Sequence, residues 1–263
     1  MDLAFCLETL YTTQPFLQRL EAARKDGVDR IEIWDWQEKP AGLPVALAQQ
    51  NLSLSNLSAN RRYGMVDPGE RESLVAEVER SLLFAREIKS AHIMLLSQPL
   101  QTDGQAVQAP AKDFRWLDHL LETISRLLIL ADRYGVSLLI EPLNDLEDHP
   151  HYLLNSSRMS FDIIRQFHHP RLRVLYDIYH MSVMGEDVCK DIEENLDAIG
   201  YFHLADLPGR TEPGIGHIPY EKILRLLKSL GYSGTLGCEF FPSTGRHDVV
   251  VRRTQERLLS WIS

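Results

Sequence analysis

The run Val136-Ser137-Leu138-Leu139-Ile140-Glu141-Pro142 decides the expected fold, because it is an apolar stretch that ends in a carboxylate. Continuous apolar runs are typical of strands that are buried on both faces in a parallel sheet. Pro142 cannot donate to a strand ladder, so it predicts that the strand ends here. The carboxylate of Glu141 must then lie outside the core, where charge is tolerated. We therefore predict that Glu141 lies at the mouth of a parallel barrel.

Eight strand-like runs alternate with eight helical runs along the 263 residues. This alternation predicts a parallel sheet with right-handed crossovers, and eight units close it into a barrel. We predict a single (β/α)8 TIM barrel, an α/β fold, over residues 1–263. A doubly wound sheet is disfavoured, because the only glycine pair near a phosphate fingerprint, Gly214-Ile215-Gly216, lacks the rest of it. Besides the opening run, the predicted strands are 3–10, 28–34, 52–59, 91–96, 172–177, 199–206 and 234–240, and the predicted helices are 14–25, 44–51, 68–89, 113–134, 156–168, 186–198, 219–230 and 248–262.

Composition excludes several classes of protein. The formal charge of −9 argues against a general nucleic-acid binder, since phosphate binding requires a basic face. The three cysteines are far apart and odd in number, which indicates neither a disulfide framework nor a zinc cluster. No signal peptide is recognisable at the N-terminus, and no apolar run has the roughly 18 residues of a membrane span. A cytoplasmic protein with a small-molecule partner is therefore expected.

Four residues occupy matching positions at the ends of the last four strands. Glu141 ends the fifth strand, Asp177 ends the sixth, and His203 and Glu239 lie near the ends of the seventh and eighth. All strand ends of a barrel face one rim, so these side chains can converge. Three carboxylates and an imidazole would repel one another unless a cation lay among them. The pattern predicts a site for one divalent ion, with ligands that suit Mn²⁺ or Mg²⁺ and also Co²⁺ or Zn²⁺.

Other polar residues follow the same strands. His180 lies three residues after Asp177 and could bond a substrate oxygen or belong to a surface loop. Arg210 could bind a carboxylate or hydroxyl of a substrate, or pair with Glu212 in solvent. Glu147 fits either a substrate contact or one charge in an acidic loop. From their positions, the loops 61–69 and 98–110 are expected to close over the pocket.

The second half of the chain carries a family resemblance. It resembles the xylose isomerase-like TIM barrel superfamily, and within it the hydroxypyruvate isomerases and the ketose 3-epimerases. The match is specific from about residue 135 to 242 and fainter before it. The motifs that carry it are Ile140-Glu141-Pro142-Leu143-Asn144, Tyr176-Asp177-Ile178-Tyr179-His180, His203-Leu204-Ala205-Asp206, Glu212-Pro213-Gly214-Ile215-Gly216, Gly231-Tyr232-Ser233-Gly234 and Gly237-Cys238-Glu239-Phe240.

The resemblance implies specific roles for these residues. It implies that one divalent ion is held by four ligands, and that two of them, Glu141 and Glu239, are the acid–base pair. It also implies a substrate-contacting set near them. The implied ligands are Glu141, Asp177, His203 and Glu239, and the implied substrate contacts are His180, Arg210 and Glu147.

The resemblance points to a metal-dependent isomerase that acts on a small hydroxy-carbonyl compound through an enediolate. Hydroxypyruvate, converted to tartronate semialdehyde, is the expected substrate. His203 departs from this pattern, because hydroxypyruvate isomerases tend to have Gln there and ketose epimerases have His. A ketose 3-epimerase and a keto-inositol dehydratase are therefore alternatives, while the acidic charge disfavours a metal-dependent endonuclease. A sugar-binding barrel without activity and a homo-oligomer are also left open.

Overall fold

Eight parallel strands form a closed barrel in the computed structural model, which describes residues 1–102, 104–107 and 115–262. Each strand pairs with the next along the chain, and the first pairs with the last through Asp2 and Thr235. This confirms the predicted (β/α)8 TIM barrel. The strands are β1 (Asp2–Cys6), β2 (Arg30–Asp35), β3 (Ser53–Ser58), β4 (His92–Leu95), β5 (Ser137–Ile140), β6 (Leu172–Asp177), β7 (Ile199–Leu204) and β8 (Thr235–Cys238).

Helices follow the strands in the described part of the chain. They are α1 (Phe16–Lys25), α2 (Leu43–Gln50), α3 (Arg71–Glu87), α4 (Trp116–Tyr134), α5 (Ser157–Phe167), α6 (Ile178–Val183), α7 (Val188–Asn195), α8 (Tyr220–Ser229) and α9 (His247–Ile262). Gly135 ends α4 with a φ of +74°, a left-handed conformation that glycine adopts without a steric penalty. No helix within the described ranges is long and apolar enough to cross a membrane.

The predicted elements differ from the observed ones at their ends and at one additional helix. The first strand was predicted to run to residue 10 and ends at Cys6. No helix is predicted directly after the sixth strand, but residues 178–180 begin α6, because Asp177 Oδ1 accepts hydrogen bonds from the backbone N–H groups of Tyr179 and His180. The surface-loop alternative for His180 is therefore wrong, since its side chain is fully buried. The predicted start of the fourth helix, Asp113, and the end of the loop 98–110 lie outside the described residues.

The apolar run 136–140 lies in the centre of the molecule. Leu138, Leu139 and Ile140 are fully buried, as expected for a strand with the barrel interior on one face and helices on the other. Glu141 follows directly and is also buried, with 2% of its surface exposed. Parallel register then aligns the strand ends: Asp177 pairs with His203, and His203 pairs with Gly237.

Replacement of Gly200 by alanine tests the packing between β7 and its neighbours. A Cβ at this position would lie 2.8 Å from Arg173 Cβ and 2.9 Å from Leu139 Cδ2. We expect Gly200→Ala to lower the free energy of unfolding by about 1–3 kcal/mol, because strand backbones would have to move. Urea denaturation measures this. The control is Gly245→Ala, where a Cβ meets nothing within 4 Å; equal effects of the two variants would contradict the packing argument.

Candidate metal centre

The four residues predicted at the strand ends converge on one point. Each of them offers a ligand atom, these atoms all lie within 4.8 Å of one another, and all four side chains are buried. They come from β6 and β7 and from the first residues after β5 and β8. The four are Glu141, Asp177, His203 and Glu239.

The imidazole of His203 faces the three carboxylates through its Nδ1 atom. Nδ1 lies 3.0 Å from Glu141 Oε1, 3.7 Å from Glu239 Oε2 and 3.9 Å from Asp177 Oδ2. Burial alone would lower the pKa of His203, but the negative charges of Glu32, Glu239 and Glu141 outweigh it and raise that pKa well above its usual value. The imidazole is therefore surrounded by carboxylates.

The two carboxylate oxygens of Asp177 have different surroundings. Oδ1 accepts the backbone hydrogen bonds that begin α6, at 2.7 and 3.0 Å. Oδ2 is buried, and no hydrogen-bond partner is found for it among the described residues. An unpartnered buried carboxylate oxygen is costly, because it has lost water without a replacement. Oδ2 is therefore free to bind a cation.

Glu239 is held by neutral and positive donors. Its Oε1 accepts from the indole Nε1 of Trp34, and its Oε2 accepts from the guanidinium of Arg210. Burial would raise the pKa of Glu239, but the charges of Arg210 and His203 and the indole bond lower it below its usual value. Glu239 is thereby fixed as a carboxylate.

The positive charges and hydrogen-bond donors around Glu141 and Asp177 do not offset their burial. Burial, with the negative charges of Glu239 and Asp177, raises the pKa of Glu141 to about 7 against the lowering effect of His203. Burial also raises the pKa of Asp177. A bound cation would stabilise the ionised form of both carboxylates, so their raised pKa values are consistent with a cation-binding site.

The donor set fits a divalent ion. Hard carboxylate oxygens with one imidazole suit Mn²⁺ and Mg²⁺, and also Co²⁺ and Zn²⁺. The unpartnered Oδ2 of Asp177 points to the same conclusion. The cluster could therefore hold a metal ion.

A fifth buried residue, Glu32, lies behind the imidazole. Its Oε2 is 3.3 Å from His203 Nε2, the nitrogen that faces away from the other carboxylates. Gly237 makes room for it, since a Cβ there would lie 2.5 Å from Glu32 Oε1. Sequence reasoning missed Glu32, although a glutamate between Ile31 and Ile33 in a buried strand was the available signal.

A cavity of about 530 Å³ opens onto the cluster, with Glu141 and Glu239 in its lining. Trp34 lines it too, in agreement with its position at the end of the predicted second strand. Residues from the loops 61–69 and 98–110 also reach it, among them Arg61 and Gln101. Closure of these two loops over the pocket stays a prediction.

The three predicted substrate contacts lie in different environments. Arg210 lines the cavity and is 8% exposed. His180 is fully buried, and its Nδ1 lies 2.6 Å from Asn144 Nδ2; burial and the charge of Arg210 lower its pKa well below the usual value. The side chain of Glu147 is exposed, and it is the next residue, Asp148, that lines the cavity.

Arg210 does not pair with Glu212, the partner that its sequence position suggested. Arg210 pairs with Glu239, and Glu212 accepts instead from the backbone and hydroxyl of Ser243, at 2.9 and 2.6 Å. The turn that contains Arg210 is closed by paired backbone hydrogen bonds between Asp206 and Thr211.

The carboxylate of Asp206 anchors the loop that carries Arg210. This side chain is fully buried and accepts four backbone N–H bonds of 2.7–3.0 Å. Its position after β7 couples the loop to the barrel rim. The four donors are Leu207, Gly214, Gly216 and Ile218.

The family model described as the xylose isomerase-like TIM barrel matches residues 20–260. The chain belongs to this family. The resemblance seen in the second half of the sequence therefore extends over nearly the whole barrel.

Relatives within the xylose isomerase-like family are named isomerases. The 2-oxo-tetronate isomerase of Cupriavidus necator is 27% identical over 247 residues, 91% of this chain and 92% of that protein. The hydroxypyruvate isomerase of Escherichia coli is 27% identical over 248 residues, 90% of this chain and 92% of that protein. These relatives confirm the predicted enzyme class, an isomerase.

A solved structure shares the fold at lower identity. The D-psicose 3-epimerase of Clostridium cellulolyticum H10, with D-tagatose, superimposes with a TM-score of 0.78 at 18% identity and covers 100% of this chain and 98% of its own. At that identity the likeness establishes the fold alone.

Replacement of Asp206 tests the anchor of the Arg210 loop. Asp206→Ala leaves four buried N–H groups without their acceptor, so we expect a loss of about 3 kcal/mol or more in the free energy of unfolding. Asp206→Asn keeps one acceptor oxygen and should lose less. Urea denaturation measures both variants. Asp162→Ala, at an exposed position of α5, is the control; an Asp206→Ala variant as stable as this control would refute the anchor.

Proposed function

We propose that the chain is a divalent-metal-dependent isomerase that converts hydroxypyruvate to tartronate semialdehyde. The observation that carries the proposal is the convergence of Glu141 and Glu239 on one buried cluster at the floor of a cavity. The two named relatives act on small hydroxy-carbonyl acids, by the words of their names. The proposal assigns that substrate class to this cavity.

We assign the ion to the four-residue cluster. The ligands would be Glu141, Asp177, His203 and Glu239. A divalent ion held there supplies a Lewis acid, which polarises a carbonyl oxygen and stabilises the negative charge that develops on it.

The two glutamates are the proposed proton carriers. In the isomerisation the C3–H bond of hydroxypyruvate breaks, a C2–H bond forms, and the hydroxyl proton passes from the C3 oxygen to the C2 oxygen. Glu239 suits the removal step, because Trp34 and Arg210 hold it in place as a carboxylate. Glu141 lies on the other side of the cluster, across β6 and β7, and can return a proton from there. General acid–base groups of this sort contribute typically about 10²–10⁴-fold in rate.

Arg210 and the exclusion of water complete the proposed site. Arg210 is the one described arginine that is bonded directly to the cluster, through Glu239. Its ion pair keeps the Glu239 side chain oriented towards the cavity. Phe241 and Leu143 line the cavity with apolar surface, which strengthens every charge interaction within it.

Proton NMR in D₂O with Mg²⁺ and hydroxypyruvate tests the proposal. We expect signals of tartronate semialdehyde that carries deuterium at C2, and loss of turnover after treatment with a chelator. Glu239→Gln should slow deuterium incorporation by about 10²–10⁴-fold, since its amide cannot take a proton. Glu87→Gln, on the exposed face of α3, is the matched control. Full activity of the metal-free protein, or of Glu239→Gln, would contradict the proposal.

A ketose 3-epimerase is the second candidate. The observation that favours it is His203 in the third ligand position, together with Arg210 in the cavity. A carboxylate on each side of a substrate carbon also suits epimerisation, in which a proton leaves one face and returns to the other. The same NMR experiment with ketopentoses and ketohexoses separates the two, because an epimerase incorporates deuterium at C3 without forming an aldehyde. A keto-inositol dehydratase would instead release water from its substrate.

The Glu32–His203 contact predicts a change in metal affinity. A carboxylate behind a ligating histidine orients the ring and raises its basicity, and loss of such a partner typically costs about 10–100-fold in affinity. We expect Glu32→Gln to weaken Mn²⁺ binding to the chelator-treated protein by that amount in isothermal titration calorimetry. Glu38→Gln, exposed just after β2, serves as the control. A folded Glu32→Gln variant with unchanged affinity would show that Glu32 does not support the ligand.

A further inference from the structure

Arg61 lines the cavity and belongs to the loop that follows β3. Its side chain is half-buried, and its guanidinium carbon lies 5.7 Å from the centre of the Trp34 ring. The same indole donates its Nε1–H to Glu239. Trp34 therefore links Arg61 to the proposed catalytic cluster, with one ring between them.

The other charged side chains that line the cavity are already paired within the protein, whereas the guanidinium of Arg61 has no ion pair among the described residues. Arg210 is bonded to Glu239. The acidic Glu8 is paired with Lys39 at 2.7 Å and accepts from the backbone of Trp34 at 3.1 Å. Within the described ranges no carboxylate forms an ion pair with the guanidinium of Arg61, which lies over the Trp34 ring.

The remaining acidic group of the lining does not compete for Arg61. Asp148 Oδ2 accepts from Asn144 at 2.6 Å and from the Tyr179 hydroxyl at 2.9 Å. An unpaired guanidinium in the lining of a cavity attracts an anion, and its planar fork matches a carboxylate with two parallel hydrogen bonds. Stacking on an indole pre-orients that fork, so less entropy is lost when an anion binds.

We propose that Arg61 binds the carboxylate of the substrate and so selects 2-oxo and hydroxy acids over neutral ketoses. This inference rests on the proposed function, to which it adds the residue that recognises the carboxylate of the substrate. The acid would enter with its carboxylate towards Arg61 and Trp34 and its hydroxy-carbonyl end towards Glu141 and Glu239. A ketose of the same length has no charge for Arg61 to bind.

The test compares two substrates that differ in one group. Dihydroxyacetone is hydroxypyruvate with the carboxylate replaced by a hydroxymethyl group. We expect Arg61→Met to lower kcat/KM for hydroxypyruvate by about 10- to 100-fold, mainly through a higher KM, since a bond to a charged group is lost. Turnover of dihydroxyacetone should change by less than about 2-fold, and Arg61→Lys should restore part of the loss. Arg62→Met is the control, because this neighbouring arginine is exposed and outside the cavity lining.

A binding measurement separates this inference from the proposed function. Tartronate carries two carboxylates but no ketone or aldehyde group, so it can bind without reacting. Calorimetry with the Mg²⁺-loaded protein should show that Arg61→Met binds tartronate about 10- to 100-fold more weakly than the wild type does. Equal losses for hydroxypyruvate and dihydroxyacetone, or no loss in either assay, would overturn the role of Arg61. A wild-type protein that binds tartronate through Arg61 but does not isomerise hydroxypyruvate would overturn the proposed function and leave the carboxylate site standing.

Discussion

Three carboxylates and one imidazole are buried together at the rim of the barrel, and the structure around them compensates this concentration of negative charge. Buried carboxylates are expensive unless they are paired, hydrogen-bonded or bound to a cation. Glu239 has Arg210 and Trp34, and Asp177 has the first turn of α6. The negative charge is compensated incompletely at Glu141 and at Oδ2 of Asp177. A bound cation would therefore stabilise these two groups most.

The supporting parts of the site are built on the same principle. Asp206 is a buried carboxylate that is fully satisfied by four backbone donors, and it holds the loop that brings Arg210 to Glu239. Glu32 is a buried carboxylate beside the far nitrogen of His203. Asp206 thus fixes backbone, while Glu32 lies where it can orient the imidazole of His203. The site is held by strand ends and by short anchored loops, so its geometry does not depend on one flexible segment.

Two cations at the cavity have different surroundings. Arg210 is nearly buried, and its ion pair with Glu239 commits it to the protein. Arg61 is half-buried and stacks on Trp34 without an ion pair among the described residues. Arg210, which is paired with Glu239, orients a proposed proton carrier. The guanidinium of Arg61, which has no ion pair among the described residues, is available to bind a ligand. This difference, rather than the number of charges, distinguishes orientation of catalytic groups from recognition of a substrate.

The sequence by itself determined the barrel and the four residues of the cluster. Alternating apolar runs and helical stripes specify a parallel closed sheet, and a polar residue at the end of a buried strand has to lie at its rim, so Glu141, Asp177, His203 and Glu239 could be found by their position alone. Only the tertiary structure decided which side chains contact the cluster and line the cavity. Glu32 meets His203 across the barrel, and Arg210 pairs with Glu239 and not with Glu212. Asp148 lines the cavity, and Arg61 stacks on Trp34. The physical reason is that periodicity specifies which face of an element is buried, while the direction of a loop side chain depends on which distant charges and rings lie within its reach.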